Sequence, residues 1–177
     1  NAFIGSLVAD AVSMPVHWYY NARAIDQDYG DFDHFLPPQN PHPDSILWRS
    51  KYETTNEKDD ILHEQSKYWG QKGIHYHQFL KAGENSLNLK LACELYRTII
   101  KFGEFNNEAW LERYAEVMLK PGWHCDTYAE EYHRAFFKNY AQGKKLSNCG
   151  IKDIHIGGLS LVPALLAGLE AIDRTEE

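Results

Sequence analysis

With 177 residues, 44% of them hydrophobic and 24% charged, the chain has the makeup of one water-soluble domain large enough to bury a core. Its formal net charge is −7 and its one notable basic doublet is Lys144-Lys145, so it lacks the basic stripe that nucleic-acid binding needs. No apolar run reads as a membrane span and no signal peptide is visible, which sets the expectation of a cytoplasmic protein without a membrane partner.

The first predicted helix covers 2–14. Ile4, Leu7, Val8 and Ala11 recur at helical spacing, and Pro15 stops it. The pattern starts abruptly at Asn1, so the natural start is expected upstream. Asp10 borders the apolar stripe, where a carboxylate is either a solvated edge charge or a group aimed into a cleft, and spacing alone favours the former. Asn21 is placed to cap a short helix over 22–28.

From Tyr29 to Asp60 four prolines and many Asp and Asn residues exclude a regular helix. The aromatic residues Tyr29, Phe32, Phe35, Trp48 and Tyr52 favour an ordered insertion over a disordered one. "SILWRSKY" (45–52) is predicted as a short strand, with any sheet limited to a hairpin within 30–80. His75 and His77 would share one face of a strand and could chelate a transition metal. His63, His124 and His133 lie at no diagnostic spacing for a third ligand, so hydrogen-bonded structural histidines are the favoured reading. His42-Pro43-Asp44 matches a chaperone J-domain tripeptide, but prolines flank it and no basic helix precedes it, so the match is taken as chance.

Helical periodicity returns over 84–102, with Leu87, Leu91, Leu95, Ile99 and Phe102 in one stripe ended by Gly103. Its start, "GENSLN" (83–88), crowds Glu84, Asn85, Ser86 and Asn88 into one turn. Asn85 or Ser86 as a cap, with Glu84 complementing the dipole, is favoured over ligation of a hard cation, because such sites use several carboxylates. A helix over 107–120 carries Trp110, Tyr114, Val117 and Met118. Thr127-x-x-Glu130 reads as a capping box opening a helix over 127–142 with Tyr128, Tyr132, Phe136 and Tyr140 on one face. His124, Cys125 and Asp126 are too close in the chain to align as a triad, and Asp126 is expected at a helix start. The turn "HIGGLS" (155–160) is read equally as a phosphate cradle or a plain glycine turn. It feeds a helix over 160–173 with Pro163 in its first turn. The stripe Leu159, Val162, Leu165, Leu166, Leu169 and Ile172 has no following helix to cover it, and is expected to meet another chain or a further segment. Cys93, Cys125 and Cys149 form no C-x-x-C and fit free thiols in a reducing compartment. No internal repeat or linker divides the chain, so residues 1–177 are one all-α domain with a long irregular insertion.

These stretches carry a family resemblance. "AFIGSLVADAVSMPVHWYY" resembles the N-terminal signature of the ADP-ribosylglycohydrolase family, which includes the dinitrogenase reductase-activating glycohydrolases. "NPHPDSILWRSKY", "HEQSKYWGQKGIHYHQFLKAGENSLN" and "DTYAEEYHRAFFKNYAQG" are similar to the branch that holds the J-class crystallins and selenoprotein J. The resemblance covers nearly the whole chain. It implies an all-α fold and hydrolysis of a glycosidic bond at ADP-ribose, with two Mg²⁺ ions beside the ligand. Asp10 matches the aspartate of the family's Gly-Asp, and Gly83-Glu84-Asn85 matches its Thr-Asp-Asp. Asp10, Glu84 and Asn85 are therefore the implied metal ligands, and Asp10 and Glu84 the implied catalytic carboxylates. His17 stands at the family's glutamate after the proline, or that glutamate is absent. His155, Gly157, Gly158 and Ser160 correspond to its phosphate loop. An exposed Trp or Tyr of the insertion would stack on adenine. The family's C-terminal half, with further metal-binding aspartates, has no counterpart in these residues, so the chain reads as the N-terminal part of such a domain. Weak or absent Mg²⁺ binding is expected from the two carboxylates that remain. The implied partner is an ADP-ribose-type small molecule or an ADP-ribosylated protein, with self-association as a further expectation. The alternative is a non-enzymatic, crystallin-like or ligand-binding descendant with a degraded metal site.

Overall fold

Helical periodicity in the sequence becomes, among the described residues, six α-helices: α1 (Ala2–Ser13), α2 (Ala22–Asp28), α3 (Leu87–Phe102), α4 (Asn107–Met118), α5 (Glu131–Ala141) and α6 (Val162–Asp173). The computed structural model describes residues 2–173 and, among them, no strand, so the protein is all-α. Short 3-10 turns at Met14–Val16, Leu47–Arg49, His63–Tyr68, Leu146–Asn148 and Ile156–Leu161 punctuate the connections.

Helix α3 is the hub. Leu87, Leu91, Leu95 and Ile99 repeat every four residues and are buried in one cluster with Tyr114, Val117 and Met118 of α4 and Phe136 and Phe137 of α5. Leu89 and Ala92, on another face, join Ala164 of α6 and Phe3 and Leu7 of α1. Burying each such side chain contributes about 1.5–3 kcal/mol. Gly103 ends α3 in the left-handed region at φ 69°, where it donates its N–H to Ile99 O and glycine carries no steric penalty.

The apolar stripe of α6 divides. Ala164 and Gly168 are buried, and a Cβ on Gly168 would fall 3.0 Å from Ile99, so α6 lies close on α3. Leu165 and Ile172 pack against the main cluster, while Leu159, Val162, Leu166 and Leu169 stay exposed. Ile156–Asp173 is also an 18-residue helical stretch long and apolar enough to cross a membrane by length and composition, which the sequence reading did not anticipate.

Four local expectations change. "SILWRSKY" forms the 3-10 turn at Leu47–Arg49, with Leu47 fully buried, and His75–His77 lie in turns; neither is a strand. Side chains take the backbone groups that a ladder would use. Asp59 accepts from Thr55 N and Asn56 N, Tyr52 OH accepts from Ile61 N, and Asn40 Oδ1 accepts from His75 N. Thr127 caps no helix: its N–H donates to Tyr76 O, its carbonyl accepts from Trp69 Nε1, and α5 starts four residues later, at Glu131. Helix α3 begins at Leu87 rather than 84, for a reason that belongs to the site.

Gly168→Val is expected to overpack the α3–α6 contact and lower stability by about 1–3 kcal/mol. Gly5→Ala in α1, where a Cβ meets nothing within 4 Å, is expected to raise it by up to about 1 kcal/mol. Urea midpoints moving in the same direction for both variants would contradict this packing.

Candidate functional site

Helix α3 starts where Asp10 of α1 receives it. The Asp10 carboxylate accepts from Ser86 N at 2.7 Å and Ser86 Oγ at 2.6 Å, and from Asn85 Nδ2 at 3.0 Å. Asp10 is therefore buried rather than a solvated edge charge. Ser86 is the N-cap residue, yet its own side chain makes no capping bond; the cap is supplied across the interface. Asn85 Nδ2 also donates to Leu7 O at 2.7 Å. Glu84 turns back on its own loop and accepts from Lys81 N.

As arranged, these residues do not fit a hard divalent cation. Both Asp10 oxygens already accept hydrogen bonds, Asn85 and Ser86 face Asp10 as donors, and Glu84 is engaged elsewhere. Among the described residues no three His, Cys, Asp or Glu side chains group as metal ligands.

Histidines build the adjoining wall. After α1 comes the Met14–Val16 turn, with Met14 and Pro15 buried, and two carbonyls of this stretch, Pro15 O and His17 O, are taken by histidines. His75 Nε2 donates to Pro15 O at 2.9 Å and His42 Nε2 donates to His17 O at 3.1 Å. The tautomers follow, because His75 Nδ1 accepts from His77 N and His42 Nδ1 accepts from Asp44 N. Tyr19 stacks on His42 at 4.1 Å between centroids. Burial lowers the His42 pKa, and lowers that of His75 to about 3. His42-Pro43-Asp44 is thus a structural brace. Asp44 extends it by accepting from Tyr20 N and Asn21 N.

The brace presents His17 and Trp18. Trp18 has φ 64°, a left-handed conformation that costs a non-glycine residue about 1–2 kcal/mol. Tyr76 and Tyr128 hold its ring, at centroid distances of 5.2 and 5.7 Å. His17 Nδ1 lies 2.9 Å from His77 Nε2, and His77 Nδ1 meets Asp126 Oδ1. Asp126 is fully buried against His77, outside any helix rather than at a helix start. Burial would raise its carboxyl, but His77 outweighs this and holds it below the usual range. Burial and then His77 bring His17 down to about 4, against the opposing pull of Asp10 and Asp126.

His17 and His77 line a cavity of about 310 Å³ whose other walls include Trp18 and Tyr128, Ser86 and Asn88 of the α3 start, Glu130 and Ile156. Asn88 Nδ2 donates to Glu130 Oε2 at 2.9 Å, which aims the carboxylate. Asn88 is itself fixed: its Oδ1 accepts from Tyr132 OH at 2.9 Å and His133 Nε2 at 3.0 Å. His133 Nδ1 then accepts from Tyr114 OH, and burial takes His133 to about 3. A larger cleft of about 780 Å³ between α3 and α4 is lined by charges that mostly pair among themselves, Glu94 with Arg97 and Arg113, and Arg113 with Glu116.

The glycine-rich turn touches the cavity from one side. A Cβ on Gly157 would fall 2.5 Å from Glu130 Oε2, so glycine here admits a carboxylate. Gly158 faces open space, His155 Nδ1 pairs with Asp153 at 2.6 Å, and Ser160 Oγ is buried without a hydrogen-bond partner among the described residues. The Cys125 thiol is raised by burial, which disfavours a thiolate nucleophile. Glu130 and the alignment of His17 with His77 and Asp126 were not legible in the sequence, because these partners are 60 and 49 residues apart along the chain.

Comparison with known protein families, curated proteins and solved structures finds no match to this chain.

The buried histidines set the acid response. His17, His75 and His133 have folded pKa values of about 4, 3 and 3 against 6.5 when free, so the unfolded chain binds more protons between those values. Their contribution to stability is complete above about pH 6.5 and is lost as pH falls towards 3–4. Urea midpoints are expected to fall steadily from about pH 7 to pH 4.5, and a flat profile would contradict neutral burial.

Proposed function

We propose that the cavity binds an ADP-ribose-type ligand, free or carried on a protein, and that the chain hydrolyses the glycosidic bond at the ribose anomeric carbon. One observation supports this most. Three segments singled out by the family resemblance, the stretch that follows α1 and its 3-10 turn, the "GENSLN" start of α3 and the glycine-rich turn, line the same cavity through His17, Ser86 and Ile156. Trp18 and Tyr128 offer ring faces for a sugar or base. Glu130 replaces Asp10 and Glu84 as the carboxylate facing the ligand. A carboxylate there stabilises the positive charge that develops on the ribose as the bond breaks. Asn88 keeps it aimed, and Gly157 leaves room for it. No step is assigned to Mg²⁺, because Asp10 and Asn85 are engaged with each other.

That engagement also favours a second reading, a ligand-binding descendant that has turned its metal aspartate into a helix cap. One experiment separates the two. Calorimetry with ADP-ribose is run beside release of ADP-ribose from ADP-ribosylated arginine and serine peptides. Glu130→Gln is expected to lower turnover by about 100-fold or more while ADP-ribose affinity changes little. Binding without turnover in the wild type establishes the second reading, and absence of both overturns the two together.

A further inference from the structure

We propose that Asp126, His77 and His17 form a proton relay that makes His17 Nε2 a base at the cavity wall. The inference deepens the proposed hydrolysis by naming the group that takes the proton of the attacking water. It stands on connectivity. Asp126 Oδ1 holds His77 Nδ1–H, so a neutral His77 has its lone pair on Nε2. His17 Nδ1, 2.9 Å away, must then donate to it, which leaves the lone pair of His17 on Nε2. The neighbour of that nitrogen is Ser13 Oγ at 3.4 Å, a long contact, and the Ser13 hydroxyl can donate instead to Asp10 O at 3.3 Å.

The far end of the relay is built to hold charge. Asp126 Oδ2 is buried without a hydrogen-bond partner among the described residues, so His77 is the donor that answers this carboxylate. The other titratable groups acting on Asp126 are His124 and Lys90, and those acting on His17 are His77, Asp10 and Asp126. His124 is itself held neutral by burial and donates Nε2–H to Ile61 O. Burial and His77 also keep protonated His17 unfavourable, so a captured proton does not rest on His17.

Water gives a proton to His17 Nε2, and its oxygen forms the bond to the anomeric carbon. The bond to the leaving group breaks with its electron pair, and the leaving group takes a proton from solvent. His17 passes its Nδ1 proton to His77 Nε2, giving an imidazolium against Asp126 and a neutral His17 now protonated on Nε2. Reversal of these two transfers returns one proton to solvent and restores the starting state.

The test is a ¹⁵N NMR titration of the histidine-labelled chain. At the alkaline end the relay's resting state is Nδ1–H on both His17 and His77. As pH falls, the first proton taken up should leave His77 protonated on both nitrogens and switch His17 from Nδ1–H to Nε2–H. His17 holding one tautomer throughout, or carrying Nε2–H at the alkaline end, overturns the relay. Asp126→Asn should abolish the switch; if that variant does not fold, the wild-type titration alone decides. In the peptide assay His17→Gln is expected to lower turnover by about 100-fold or more with ADP-ribose binding kept. The switch seen in a chain that releases no ADP-ribose upholds the relay and overturns only the proposed hydrolysis.

Discussion

The structure depends on one carboxylate capping a helix that is not its own. Asp10, near the end of α1, takes the backbone N–H and hydroxyl of Ser86 and the amide of Asn85, and so fixes where α3 begins. Hydrogen bonds to a charged acceptor contribute about 1.5–3 kcal/mol each, and the negative charge also meets the positive end of the helix. The hub helix is thereby registered against α1 before its leucines are counted. The two segments joined by this contact run on into the site: His17 and Trp18 beyond α1, and Ser86 and Asn88 at the start of α3.

A second constraint comes from histidines that act as rigid, neutral spacers. His42 and His75 each use one ring nitrogen to accept a backbone N–H and the other to grip a carbonyl beside His17. An irregular, proline-rich segment could not supply those partners through a regular ladder, so side chains do it. This lets Trp18 hold a strained backbone next to the cavity, at a place where strain is associated with function. The polar chain from Tyr114 through His133 and Asn88 likewise fixes Glu130 in the cavity lining.

Read along the chain, the long helices were accessible because their signal is local. Leu87, Leu91, Leu95 and Ile99 announce α3 by spacing alone, and Asn106 and Asn21 cap α4 and α2 as their residue type suggests. The failures share a cause. The Thr127-x-x-Glu130 pattern is a good capping box in isolation, but Trp69 and Tyr76 claim the backbone of Thr127. "SILWRSKY" has strand-like residues but no neighbouring strand, and a lone strand has nothing to satisfy its backbone. Asp10 looked like an edge charge because its partners lie 75 and 76 residues away.

What the sequence determined by itself was the all-α class, the positions of the main helices and the concentration of polar residues at the start of α3. Short-range periodicity and turn chemistry are enough for those. Only the tertiary structure decided that Asp10 caps α3, that Asn85 faces it as a donor, that Gly157 makes room for Glu130, and that His17, His77 and Asp126 stand in line. Each of these is a contact between segments far apart in the chain. Whether a carboxylate caps, ligates or pairs depends on which donors the folded chain brings to it, and no spacing rule encodes that.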